Sequence, residues 1–197
     1  MLVVHENRGL TDHIRSVVGR LACEGYFALA VDLLSEEGGT ASLAESGAAT
    51  AALGNAPPER LVADLRAGVD ELARKAPGTK LGVVGFCFGG AMTWRLLAAG
   101  ESRLAAAVPF YGPIPDNPDF SKSKAAVLAV YAERDQRVDA TRDPAAAALR
   151  QAGVTHEVRT FAGVDHAFFN DTGPRYDATV AAEAYKALLD WLGRHLS

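Results

Sequence analysis

The sequence predicts an α/β fold, a largely parallel, doubly wound sheet with helices on both faces. Two observations carry that prediction. Short apolar runs alternate along the chain with longer amphipathic stretches, as strand–helix–strand units require. Several of the runs are apolar almost without interruption, which suits strands covered by helices on both sides rather than wetted on one.

The first run, LVVH at 2–5, begins one residue into the chain. The stretch 11–24 (TDHIRSVVGRLACE) reads as a helix, with Thr11 as its N-cap and Ile14, Val17, Val18 and Leu21 on one face. YFALAVD at 26–32 is the second strand. Residues 34–58, rich in Gly, Ala and Ser and weakly patterned, read as a loop with a short helix around 41–53. A helix at 59–75 then leads to a strand at 81–86 and a helix at 90–100. Strands at 104–112 and 126–132, a helix at 141–152, a strand at 155–161 and a helix at 175–195 complete the series. No internal repeat or charged tail interrupts it, so 1–197 is read as one domain.

At 197 residues the chain can bury a substantial core. Its 20 basic and 24 acidic residues give a net charge of −4 with no basic block, which argues against nucleic acid or a membrane surface as partner. No apolar run reaches the roughly 18–20 residues of a membrane span. The opening MLVVHENRGL has no basic-then-apolar leader pattern, so the expected location is the cytoplasm. The two cysteines, Cys23 and Cys87, match neither zinc nor redox-pair spacing and make no disulfide framework.

One of them has a distinctive setting. Gly85-Phe86-Cys87-Phe88-Gly89 has the form G-x-C-x-G, between a predicted strand and a predicted helix. That is the context of a nucleophile elbow, in which small neighbours make room for a reactive residue on a sharp turn. The helix N-terminus beyond it favours a thiolate. Taken alone, the motif fits a small buried cysteine in a packing turn equally well. Two partners decide between these readings. Asp135 follows the strand at 126–132, and His166 follows the strand at 155–161. Nucleophile, acid, histidine is the chain order of the α/β-hydrolases. In that arrangement His166 takes the thiol proton and Asp135 orients the imidazole. His5 ends the first strand and is placed to line the same cleft, but has no matching acid. His13 and His195 fall on helices, and His156 lies within a strand. Asp165 adjoins His166, and sequence neighbours rarely face one another.

With these residues in place, the sequence resembles the dienelactone hydrolase family. The resemblance runs from Val3 to the last helix and rests on HENRGL, RLACEGYFALAVDLL, GFCFGGA, YAERDQRV and FAGVDHAFFN. It implies an α/β-hydrolase with a Cys87–His166–Asp135 triad that hydrolyses esters or lactones without metal or cofactor. It also implies a glutamate, here Glu6, that controls the resting thiol, and an oxyanion hole formed by the backbone N–H groups of Phe88 and Asn7. Two departures stand out. The family's leading antiparallel strands are absent ahead of HENRG, so the chain is expected to be a naturally minimal or a truncated version. Where dienelactone hydrolases carry a carboxylate-binding arginine, four residues after the histidine, this sequence has Asn170. An amide cannot replace a bidentate guanidinium, so small neutral esters are expected to be better substrates than an anionic dienelactone. Arg8 is either a substitute cation or a solvated loop residue.

Phe86, Phe88, Phe110, Tyr111, Phe168 and Phe169 fall near strand ends and are expected to wall an aromatic cleft, with at least half of them in the core. Tyr111 and Phe168 are the aromatic residues expected to touch substrate. The competing readings are a general short-chain esterase or thioesterase, a thiol redox sensor and a flavodoxin-like nucleotide module. Residues 85–90 carry neither a P-loop nor GxGxxG, which counts against the last. Without leading strands, the strand at 26–32 becomes a sheet edge, and an edge invites pairing into a homodimer.

Overall fold

The computed structural model describes residues 1–43, 45 and 47–197. Its sheet contains β1 (Leu2–Val4), β2 (Leu29–Val31), β3 (Leu81–Phe86), β4 (Leu104–Phe110), β5 (Ala126–Ala132) and β6 (His156–Phe161). The strand order is β2-β1-β3-β4-β5-β6, and every pairing is parallel. The helices are α1 (Asp12–Cys23), α2 (Ala48–Asn55), α3 (Pro58–Lys75), α4 (Phe88–Ala98), α5 (Gln136–Asp139), α6 (Arg142–Gln151) and α7 (Ala178–Leu196).

Side-chain alternation explains the layers. Along β5, Val127, Ala129 and Tyr131 pack in the core formed with α3, α4 and α6. Ala126, Leu128, Val130 and Ala132 pack in the core formed with α1 and α7. Both faces are dry, so the strand reads as an unbroken apolar run. On α1, Ile14, Val17 and Leu21 are buried at helical spacing, as the sequence predicts. Each such side chain contributes about 1.5–3 kcal/mol on burial. On α7, Ala181, Ala184 and Ala187 bring the helix close to the sheet, and Leu188, Trp191 and Leu192 fill the remaining space.

The region 34–58 departs from the expected helix at 41–53. Two 3-10 turns, Ser35–Glu37 and Thr40–Ser42, come first, and α2 starts only after Gly47, which sits at φ 87°. Ala44 and Ser46, inside the expected helix, lie outside the described residues. Asp32 is the cause of the early turns. Its carboxylate accepts hydrogen bonds from the backbone N–H of Leu34 and Thr40 and from the Thr40 hydroxyl, bending the chain back on itself. The strand expected at 26–32 shortens to three residues, Leu29–Val31, at the sheet edge.

The chain leaves β1 toward β2 on one side and returns as β3 on the other. This reversal opens a crevice at the carboxyl ends of β1 and β3. Glu6 lies two residues beyond β1, and Cys87 directly follows β3.

Candidate active site

Cys87 occupies the turn between β3 and α4 with φ 55°, a left-handed conformation that strains a residue with a side chain. Its neighbours explain how the turn closes. A Cβ on Gly85 would stand 2.1 Å from the Gly89 carbonyl oxygen, and one on Gly89 would stand 2.3 Å from that of Val4. Only glycine fits at either position. The Cys87 N–H donates to the Phe110 carbonyl at 3.0 Å, fixing the strained residue to β4. The N–H of Phe88, the first residue of α4, has no intrahelical acceptor.

The loops after β5 and β6 are joined to each other. The N–H groups of Glu133 and Arg134 donate to the carbonyls of Phe161 and Val164, and the Gly163 N–H donates to the Glu133 carboxylate. Asp135 is thereby held beside His166. Its Oδ2 lies 2.5 Å from His166 Nδ1, while its Oδ1 accepts from the Val138 N–H at the start of α5. His166 Nε2 reaches Cys87 Sγ at 3.0 Å. Burial opposes charge on His166, but its hydrogen bonds to Asp135 and Cys87 outweigh that and raise it to about 9. Burial also works against the Asp135 carboxylate, and the His166 contact holds it below its ordinary range. Asp165 is exposed and, among the described residues, accepts from the His166 backbone N–H at 2.6 Å, so the carboxylate against the imidazole is that of Asp135.

The other flank of Cys87 is built around Glu6. This buried carboxylate accepts from Asn170 Nδ2 at 2.5 Å through Oε2, and the Tyr111 hydroxyl stands 3.5 Å from Oε1. Burial, then the Glu6 charge, keeps the Tyr111 phenol protonated by pushing its pKa well above the ordinary value. Asn170 is thus occupied by Glu6, and its Oδ1 accepts from the N–H and hydroxyl of Thr172. Asp171, the next residue, lies 2.6 Å from Nδ1 of buried His13 and ties this loop to α1.

Between the flanks lies a cleft of about 290 Å³ that includes Glu6, Asn7, Arg8, Cys87, His166 and Asn170. Thr11 also lines it; although it sits at the N-cap position of α1, its side chain makes no cap hydrogen bond. Arg175 completes the far wall. Neither Arg8 nor Arg175 forms an ion pair among the described residues. A second cleft of similar size, which Asn7 and Cys87 also border, is lined by Leu53, Phe88, Ala91 and Pro113.

Several expectations are corrected here. The main cleft is not aromatic. Phe86, Phe110, Phe168 and Phe169 are fully buried in the core on the α1/α7 face, where Phe169 packs on Phe86 and Phe110 and Phe168 packs on Tyr111, and of these phenylalanines and Phe88 only Phe88 borders either cleft. Phe168 and Tyr111 carry no exposed surface, so neither touches a substrate in this conformation; Tyr111 instead backs His166, with ring centroids 5.1 Å apart. His5 is also fully buried and lies beneath the cleft rather than lining it. Sequence reasoning missed Arg175, the joining of the loops by Glu133 and the His13–Asp171 contact. No local pattern marks any of these. Among the described residues no His, Cys, Asp and Glu cluster suits a metal, and no helix is long and apolar enough to cross a membrane.

Comparison with known proteins agrees with this architecture. The dienelactone hydrolase family model matches residues 1–196. A protein of Methylorubrum extorquens assigned as a carboxymethylenebutenolidase is 35% identical over 209 residues, an alignment covering 99% of this chain and 72% of that one. A crystal structure of a protein of Klebsiella pneumoniae assigned as a dienelactone hydrolase superposes with a TM-score of 0.85 at 29% identity, covering 98% of this chain and 86% of that one. A dienelactone hydrolase-like promiscuous phosphotriesterase from metagenomic libraries superposes with a TM-score of 0.81 at 26% identity, covering 100% and 86%. With Cys87 and its neighbours at the carboxyl ends of a parallel sheet of this form, the chain belongs to the dienelactone hydrolase family.

Proposed function

We propose that this carboxylic ester hydrolase cleaves small esters or lactones through Cys87, by way of an acyl-thioester. One observation carries the reading: Cys87 Sγ, His166 and Asp135 form a continuous chain of contacts at 3.0 and 2.5 Å on a left-handed turn that opens into the cleft.

The chemistry follows from the contacts. Cys87 Sγ attacks the substrate carbonyl carbon while the thiol proton resides on His166 Nε2, and Asp135 stabilises the imidazolium. Negative charge develops on the former carbonyl oxygen. The N–H groups of Asn7 and Phe88 receive it, and both residues border Cys87 with N–H groups that no other protein group uses among the described residues. Collapse expels the alkoxide, which takes the proton from His166. For a lactone the alcohol stays attached to the acyl group. His166 then removes a proton from water, the hydroxide attacks the thioester, and carboxylate and Cys87 are released. In the resting site, the Asn170 and Tyr111 contacts hold the Glu6 carboxylate at the cleft wall beside the thiol.

Asn170 leaves its position without a cation, and Arg8 and Arg175 line the same cleft. We propose that a carboxylate-bearing ester is accepted alongside neutral ones. A thiol-sensor reading lacks a resolving partner, since exposed Cys23 lies on α1 and lines neither cleft.

The test is a rapid quench of an aryl acetate reaction in a Cys23→Ser background. The expected result is acetyl mass on the peptide containing Cys87, formed and lost at rates that support turnover. Hydrolysis that persists after stoichiometric alkylation of Cys87 rejects the mechanism.

A further inference from the structure

His5 is fully buried at the end of β1, and the proposed chemistry gives it no role. Its two ring nitrogens have different partners. Nε2 lies 3.0 Å from the backbone nitrogen of Leu33, whose N–H can only donate, so Nε2 is the acceptor and carries no proton. The ring proton is therefore on Nδ1, which lies 2.6 Å from the Glu6 carbonyl oxygen and donates to it. One tautomer is fixed, with a donor aimed at one peptide group. Burial supports this state, since it disfavours the cation and lowers the His5 pKa from 6.5.

That peptide joins Glu6 to Asn7. In a trans peptide the carbonyl and the N–H point in opposite directions across one rigid plane. Fixing the Glu6 oxygen therefore fixes the direction of the Asn7 N–H. The Gly9 N–H gives the same oxygen a second, longer bond of 3.2 Å, and the Thr50 hydroxyl holds the next carbonyl, that of Asn7, at 3.0 Å. We infer that His5 is a positioning residue, which aims the Asn7 N–H at the oxyanion by gripping the carbonyl of the same peptide from behind. The inference rests on the reading of Asn7 as an oxyanion donor. It also explains why an imidazole fits a buried strand end: it bridges the Glu6 carbonyl and the Leu33 N–H, an acceptor and a donor, through one rigid ring.

Two substitutions separate the two bonds. In His5→Asn the amide nitrogen replaces Nδ1, keeping the donor to Glu6 and losing the acceptor for Leu33. In His5→Gln the terminal amide replaces Nε2, keeping the acceptor and losing the donor. For an aryl acetate, His5→Gln should lower kcat at least tenfold with KM within about threefold, because a misaimed donor is felt chiefly in the transition state. His5→Asn should stay within about threefold of wild type. Alkylation of Cys87 by iodoacetamide passes through no oxyanion, so its rate should change by less than about twofold in both variants. Equal loss of kcat in the two variants, or an alkylation rate that falls together with kcat, overturns the assignment. If the glutamine variant does not fold, His5→Asn decides alone, and a tenfold fall in its kcat overturns the inference. A backbone ester at position 7, which removes only the Asn7 N–H, tests the underlying reading separately. If it leaves kcat unchanged, the oxyanion role fails. If it lowers kcat while His5→Gln does not, the oxyanion role stands and His5 is excluded.

Discussion

The two flanks of Cys87 are built by different means. On one side Asp135 and His166 stand in adjacent loops at the ends of neighbouring strands, joined by backbone hydrogen bonds. On the other, Glu6 after β1 meets Asn170, 164 residues away, in a wall completed by Arg8 and Arg175. The first flank holds the groups to which the proposed mechanism assigns proton transfer, and it follows directly from sheet topology. The second holds the cations to which the proposed preference assigns substrate contact, and it depends on how a long loop returns over the sheet. The proposed chemistry therefore rests on loops tied to strand ends, and the proposed specificity on a contact between segments far apart in sequence.

The largest expected effect breaks the first flank. Asp135→Asn removes the charge that stabilises the His166 cation and offers an amide to Nδ1. It should lower kcat on the order of 10³- to 10⁴-fold. Asp165→Asn alters only an exposed backbone contact and should stay within about threefold, with both variants checked by thermal melting. The reverse ranking would assign the orienting role to Asp165.

The same contrast governs what the sequence makes legible. Strands 81–86 and 126–132 are read to the residue, because burial on both faces leaves a continuous apolar signal. Cys87, Asp135 and His166 are legible because each directly follows a recognisable strand or its turn. The aromatic cleft fails for a reason of parity. Phe86 and Phe110 end their strands, but alternation directs both side chains into the α1/α7 core, and Phe169 stacks on Phe86 there. Glu6 and Asn170 are each legible through the family pattern, one as a match and one as a departure, while the hydrogen bond between them is not, since no local pattern encodes a contact across 164 residues. Arg175 has no signal at all. It precedes α7 in a segment whose course over the cleft appears only in three dimensions.

The second flank is tested by charge. The double variant Arg8→Ala/Arg175→Ala should lower kcat/KM for a carboxylate-bearing ester by about tenfold and leave a neutral aryl acetate within about twofold. A charge-assisted contact is worth up to about a hundredfold, but both side chains are exposed, and solvent screening reduces the effect. The ratio between substrates should shrink further as salt is raised. An unchanged ratio would return the cleft to the neutral-ester preference that Asn170 alone implies.

The smallest effect concerns a proton rather than a rate, and it sharpens the account of the first flank. His166 is raised to about 9 because its bonds to Asp135 and Cys87 outweigh burial. At pH 7.5 the imidazole is therefore protonated. Replacing Cys87 with serine substitutes a hydroxyl that does not ionise in this range, so the part of the shift due to Cys87 disappears while the Asp135 contact remains. The His166 carbon-bound ring proton, followed by NMR from pH 5 to 10, should titrate near 9 in wild type and at a clearly lower pH in Cys87→Ser. In Asp135→Asn the pKa should fall as well, since the other raising partner is lost. A His166 pKa that is unchanged in Cys87→Ser would mean that the Asp135 contact alone accounts for the raised value.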